Sequence, residues 1–180
     1  DLENIITFVP LANFRQDIGK KLLARHRQAD KSEALQTLQS VREIGVVYDV
    51  NQISAQLIHK VVHYFESAGK NVITLGFIPE KELGDYIPTL KEEYFCRKDL
   101  TFWLLPKKAV VSRFISTEFD FLINLDFNES AELQAISAYS SAKTRIGKYF
   151  EEYSFSQDFM IKSLAESGDE LFNEMKKYIK

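Results

Sequence analysis

Polar residues that could do chemistry stand directly behind two runs of strand-forming residues. Asp49 and Asn51 follow Ile44-Gly45-Val46-Val47-Tyr48, while Asn124, Asp126 and Asn128 lie at the end of Phe119-Asp120-Phe121-Leu122-Ile123-Asn124-Leu125 and just beyond it. Open parallel sheets bind ligands outside the carboxyl ends of their strands, near the point where strand order reverses. Those five residues, with Lys148 behind the shorter run Thr144-Arg145-Ile146-Gly147, are therefore the candidate ligand contacts. If the two strands are neighbours, Asp49 and Asp126 approach each other. Two carboxylates with nearby amides can hold a hard cation such as magnesium, and a strand-end Asp can accept a phosphoryl group. Turn formation and helix capping explain the same residues without any reaction. The sequence assigns no catalytic residue and no metal ligand.

Cofactor and nucleophile patterns are missing elsewhere. The turn Asp49-Val50-Asn51-Gln52 contains no glycine, whereas a dinucleotide fingerprint needs glycines there for the tight turn and close pyrophosphate approach. Gly19-Lys20-Lys21 has no glycine-rich loop before it, so it is not a P-loop, and Asp49-Val50-Asn51 lacks the second Asp of the haloacid-dehalogenase pattern. His59 and His63 have the i, i+4 spacing of two ligands on one helix face, but Lys60 stands where a metalloprotease signature places Glu. Cys96 sits beside Arg97 with no legible His partner and reads as a small, semi-buried side chain. No Gly-x-Ser-x-Gly elbow occurs. No cofactor is expected.

Charge and aromatic residues suggest binding instead. The segment from Leu11 to Lys31 holds six basic residues (Arg15, Lys20, Lys21, Arg25, Arg27, Lys31) against Asp17 and Asp30, in a chain whose formal charge is −3. A basic arm on an acidic body can contact an anionic surface; a solvated helix face is the plainer explanation. Tyr94, Phe95, Phe102 and Trp103 form a local aromatic cluster that continues into Leu104-Leu105-Pro106-Lys107-Lys108. Aromatics are enriched at interfaces as well as in cores. The candidate interface is therefore Arg15, Lys20, Lys21, Arg25, Arg27, Trp103, Lys107 and Lys108.

The elements that must position these residues follow from periodicity. Asn13–Gln28 and Ser32–Gln39 read as helices, the first with an apolar stripe of Phe14, Ile18, Leu22 and Leu23 and with Lys20, Lys21, Arg25 and Arg27 largely off it. After residue 40, strands and amphipathic helices alternate. The run Ile44–Asp49 is a strand, a helix capped by Asn51 or Ser54 continues through Phe65 and is closed by Gly69, and Asn71–Ile78 is the next strand. Glu80–Leu83 begins a short helix, Tyr86–Lys98 is loop or broken helix, Leu100–Leu105 is a strand stopped by Pro106, and Lys108–Ser116 is helical. The strand Phe119–Leu125, a helix Ser130–Tyr139, strands Thr144–Gly147 and Asp158–Ile161, and a helix Asp169–Tyr178 complete the chain. This alternation predicts a Rossmann-like α/β three-layer sandwich with a mostly parallel five- to six-stranded sheet. Residues 1–40 form a helical extension with a basic face, and residues 41–180 one α/β domain.

Bulk properties agree with a globular chain. Its 180 residues are 45 % hydrophobic and 27 % charged, with fourteen Phe and eight Tyr to build a core. One cysteine closes no intrachain disulfide and builds no thiolate metal site. No stretch approaches the roughly 20 apolar residues that span a bilayer. Asp1 to Pro10 does not read as a signal peptide, and a cytoplasmic location is expected.

Three stretches together carry a family resemblance: Asn71–Ile78, Lys98-Asp99-Leu100-Thr101-Phe102-Trp103 with Pro106-Lys107, and Phe119–Leu125; Ser141–Gly147 strengthens it. From about Gly19 onward the chain resembles an uncharacterised family of small Bacteroidetes proteins, which implies a fold and no mechanism. Phe119–Leu125 followed by Ala142–Gly147 is also similar to the N-terminal domain of heptosyltransferase-like glycosyltransferases, where a strand of the type FDLVIDL precedes an A-x-x-R-I-G segment. Asn124 stands where that pattern often has Asp, and such enzymes need a second domain for the nucleotide-sugar donor. The resemblance therefore implies topology without glycosyl transfer. The function expected is a non-catalytic binding or structural module docking on a protein or ribonucleoprotein partner, with direct nucleic-acid contact only through the basic helix. The alternatives are a small-molecule-binding protein or enzyme using the strand-end crevice, and a homodimer that completes such a site.

Overall fold

The apolar runs become strands buried on both faces in the computed structural model, which describes residues 11–26 and 37–179. In chain order the elements are α1 (Leu11–His26), β1 (Glu43–Asp49), α2 (Ala55–Ser67), β2 (Asn71–Ile78), β3 (Glu92–Cys96), α3 (Ser112–Ser116), β4 (Phe121–Asn124), α4 (Ala131–Tyr139), β5 (Thr144–Lys148), β6 (Phe159–Ile161) and α5 (Gly168–Met175). The six strands form one sheet in the order β3-β2-β1-β4-β5-β6, and every neighbouring pair is parallel. Strand order reverses between β1 and β4, as in a doubly wound fold.

Alternation along β1 sorts the core into two layers. Ile44, Val46 and Tyr48 join Ile58, Val61 and Phe65 of α2 and Leu171, Phe172 and Met175 of α5 on one face. Val47 points to the other, with Leu75, Phe77 and Phe95 beneath Phe114 of α3 and Leu133 and Ile136 of α4. Ser54, rather than Asn51, caps α2 by accepting the Leu57 N–H at 3.2 Å. Gly69, at φ +75°, closes the end of that helix in the left-handed region. Asp120, just before β4, binds the start of β1. Its carboxylate accepts the N–H groups of Arg42 and Glu43 at 2.7 and 3.0 Å and the Lys143 ammonium at 2.7 Å.

Four expectations in the middle of the chain are corrected. Residues 92–96 are an edge strand rather than loop or broken helix. Glu92, Glu93 and Tyr94 are only half-buried there, because an edge strand tolerates the polar residues that central parallel strands exclude. Residues 100–105 are not a strand. They form a turn closed by an antiparallel Leu100–Pro106 bridge, with Leu104 at φ +61°. Glu80–Leu83 forms no helix, and the helix expected over Lys108–Ser116 narrows to α3. The helix expected over Ser32–Gln39 falls almost wholly outside the described residues.

α1 lies against α4 and this turn, which explains why α4 has almost no polar side. Every residue from Ala131 to Ala138 except Glu132 is buried, and only Gln134 and Ser137 among the buried ones are polar. Leu23 of α1 meets Leu105, Ala131, Ala135, Ala138 and Tyr153. The predicted stripe is rotated: Leu23 is buried, but Phe14 and Leu22 are exposed, and Lys20 lies on the packed side. Gly19 makes the approach possible, since a Cβ there would stand 2.4 Å from the Trp103 carbonyl oxygen. Gly19→Val is expected to release α1 and cost about 1–3 kcal/mol. Amide exchange should then accelerate across residues 14–25 and stay unchanged in β1 and β4; unaltered protection of α1 would contradict this packing.

Candidate functional site

At the switch point, the β1–α2 and β4–α4 turns bring Asp49 and Asp126 within electrostatic reach of one another. Both carboxylates are turned inward. Asp49 is buried and accepts the Asn51 N–H at 2.8 Å, and the Gln52 amide at 3.4 Å, shaping the turn before α2. Asp126 accepts the N–H groups of Asn128 and Ser130 at 3.0 and 2.7 Å and the Gln134 amide at 2.7 Å, holding the turn before α4. Asn124 is fully buried; its amide donates to the Leu133 carbonyl and the Ser137 hydroxyl, and its oxygen accepts the Asp126 N–H. The Lys148 ammonium donates to the carbonyls of Phe127 and Ala165, fastening the β4–α4 turn to the segment before α5. Asn51 and Asn128 are exposed at the rim. Beyond Asn128, a polar cleft of about 430 Å³ is lined by Glu129, Glu152 and Tyr153 and by Gln16, Asp17 and Lys20 of α1.

Behind the crevice runs a buried polar network. The Gln134 oxygen accepts the Ser156 hydroxyl at 2.6 Å and the Gln157 amide at 3.1 Å, and Gln157 also reaches the Ser137 hydroxyl. Asp126, Asn124, Gln134, Ser137, Ser156 and Gln157 are thus one connected set joining β4, α4 and the segment before β6. Gln134, Ser137, Ser156 and Gln157 carry no motif; only Gln134 and Ser137 give a sequence signal, as polar residues inside an otherwise apolar and small-residue helix.

Burial pushes the Asp126 carboxyl up to about 6 from its ordinary 3.8, against its three hydrogen bonds and with the Asp49 charge adding to the rise. Burial raises Asp49 as well. Because the folded state holds the Asp126 proton more tightly than the unfolded chain, stability increases as pH falls from about 7 toward 4 and levels off below. A tenfold difference in proton affinity between the two states is worth about 1.4 kcal/mol, so the expected gain is about 3 kcal/mol. Thermal unfolding at pH 7.5 and at pH 5 should show the higher midpoint at pH 5. A midpoint that falls over this interval would contradict the assignment.

The predicted interface residues divide. Trp103 is half-buried in the cluster under α1, and the exposed ring is its neighbour Phe102. The Arg15 guanidinium lies 4.4 Å from the Phe102 ring centroid and donates to its carbonyl. Lys20 is paired with Glu152. Lys107 donates to the Lys98 carbonyl at 2.7 Å, and Lys108 sits 4.5 Å from the Tyr139 ring centroid. Lys21 and Arg25 are exposed, and Arg27 lies outside the described residues. Arg15 and Arg97 face a shared cleft of about 570 Å³ with Thr101, Phe102, Leu104 and Glu132. Arg97 belonged to no sequence motif; the folding of the 97–108 turn onto α1 brings it there.

Other chemically capable residues hold structure. The Cys96 thiol is buried, its pKa pushed up by burial, and it donates to the Lys81 carbonyl and the Asp99 carboxylate at 3.3 Å. Arg145, in β5, bonds Asp158 at 2.8 Å and the Ser140 carbonyl at 2.7 Å. His59 and His63 are exposed on α2, and among the described residues no three His, Cys, Asp or Glu side chains gather as a metal site. No helix among the described residues is long and apolar enough to cross a membrane.

The sheet order and the paired turns at its switch point define a Rossmann-like, doubly wound α/β protein. Residues 13–180 match a family of unknown function, DUF6913, and the chain belongs to that family. No curated protein and no solved structure matches it.

Proposed function

We propose that this chain is a non-catalytic binding module, cytoplasmic in setting, that docks on an anionic face of a protein or ribonucleoprotein partner. The contact surface is α1 together with the 97–108 turn. The observation that carries this reading is the cleft shared by Arg15 and Arg97 beside the exposed Phe102 ring. Each of its two elements holds four basic residues and one acidic one, although the whole chain is acidic. The crevice supports the same reading from the other side, because the side chains of Asp49, Asn124, Asp126 and Lys148 are engaged in holding turns.

Fluorescence anisotropy with labelled oligouridine and with labelled poly-glutamate tests the proposal and separates the two partner classes. Saturable binding of either probe that weakens steeply with salt is expected, oligouridine pointing to a ribonucleoprotein and poly-glutamate to an acidic protein. Absence of binding to both at low salt would overturn the reading. It would return attention to the polar cleft at Asn128 as a small-molecule site.

A further inference from the structure

On the opposite layer of the sheet, the edge holds an aromatic cavity that neither the crevice nor the basic face uses. Tyr48, Gly76 and Tyr94 are register partners across β1, β2 and β3 and so share one face. Gly76 leaves room for the Tyr94 ring to lie over the sheet, since a Cβ there would stand 2.8 Å from it. The connection from β2 to β3 contains no helix, so this part of the face lacks the cover that a βαβ crossover normally supplies. A residue from that connection, Tyr86, places its ring 5.1 Å from that of Tyr94 at an interplanar angle of 48°. The result is a cavity of about 140 Å³ walled by Tyr48, Tyr86 and Tyr94, with Glu92 among them and Ile58 and His59 of α2 opposite.

We infer that this cavity binds a methylated organic ammonium group. Three electron-rich rings attract a cation through their faces, and Glu92 adds a full negative charge. Glu92 is half-buried and forms no ion pair with any described residue, whereas its neighbour Glu93 is paired with Arg113. Tyr48, Glu92 and Tyr94 lie within electrostatic reach of one another, which groups two rings and the carboxylate at one spot. A hard metal ion is a poor occupant, because it takes six or more oxygen ligands and the cavity offers one carboxylate and one imidazole among phenols and apolar side chains. An anion would meet Glu92. The volume suits a compact head group rather than a nucleotide or a sugar.

The same head group occurs on a free quaternary amine and on a methylated lysine of a polypeptide. Titration followed by chemical shifts of the Tyr48, Tyr86 and Tyr94 rings, using choline, a trimethyllysine peptide and the unmethylated peptide, distinguishes these sources. The neutral isostere 3,3-dimethylbutanol isolates the charge. Saturable ring shifts with choline, or with the trimethylated peptide alone, are the expected results. The isostere and the Glu92→Gln variant should each bind about tenfold more weakly, the change in affinity that about 1.4 kcal/mol represents. Tyr86→Leu, at an exposed position, should weaken binding without unfolding the protein. Equal binding of choline and its neutral isostere would overturn the inference, as would the absence of ring shifts with every cation.

Discussion

Gln134→Leu is expected to lower the stability of the folded chain by about 3–5 kcal/mol, measured by urea unfolding. Leucine nearly matches the side-chain volume, so the loss is polar. The amide nitrogen of Gln134 is one of three donors to the buried Asp126 carboxylate, and its oxygen accepts both Ser156 and Gln157. Removing the hub leaves a buried carboxylate short of a donor and two buried donors without this acceptor. Each such group costs about 1–3 kcal/mol. Ser156 keeps the Tyr153 carbonyl and Gln157 keeps Ser137, which places the total below the sum of the maxima. A loss under about 1 kcal/mol would mean that water replaces the amide and that the network is not sealed.

The second large effect concerns the basic face. Replacing Lys21, Arg25, Arg97 and Lys98 together by glutamate should reduce oligoanion affinity at least about 100-fold and flatten its dependence on salt, since each lost phosphate contact removes roughly 0.7 from the slope for a single strand. All four side chains are exposed, so each substitution should stay within about 0.5 kcal/mol in stability. Unchanged affinity in the folded variant would move the docking surface elsewhere.

Much of the sheet was legible because parallel strands buried on both faces read as near-continuous apolar runs; Val72–Ile78, interrupted only by Thr74 and Gly76, and Phe121–Ile123 are of this kind. β3 was not, because Glu92 and Glu93 occupy an edge where half-burial suffices. Leu100–Leu105 misled for the complementary reason. Trp103 and Leu105 are apolar because they pack under α1, and packing in a turn leaves no period. In the crevice, the positions of Asp49, Asn124, Asp126 and Lys148 followed from strand ends, but the direction of their side chains did not. Inward bonding depends on partners such as Ser130, Gln134 and the Ala165 carbonyl, which no local pattern connects. The cleft of Arg15 and Arg97 and the three-tyrosine cavity are likewise products of long-range packing.

Amide exchange across the whole chain, with and without the anionic probe that binds, tests the central claim most directly. Protection should appear in α1 over residues 14–25 and in the turn over residues 97–108, with the β1–α2 and β4–α4 turns unchanged. Protection confined to residues 49–52 and 126–130 would contradict it, and would make the strand-end crevice the binding site.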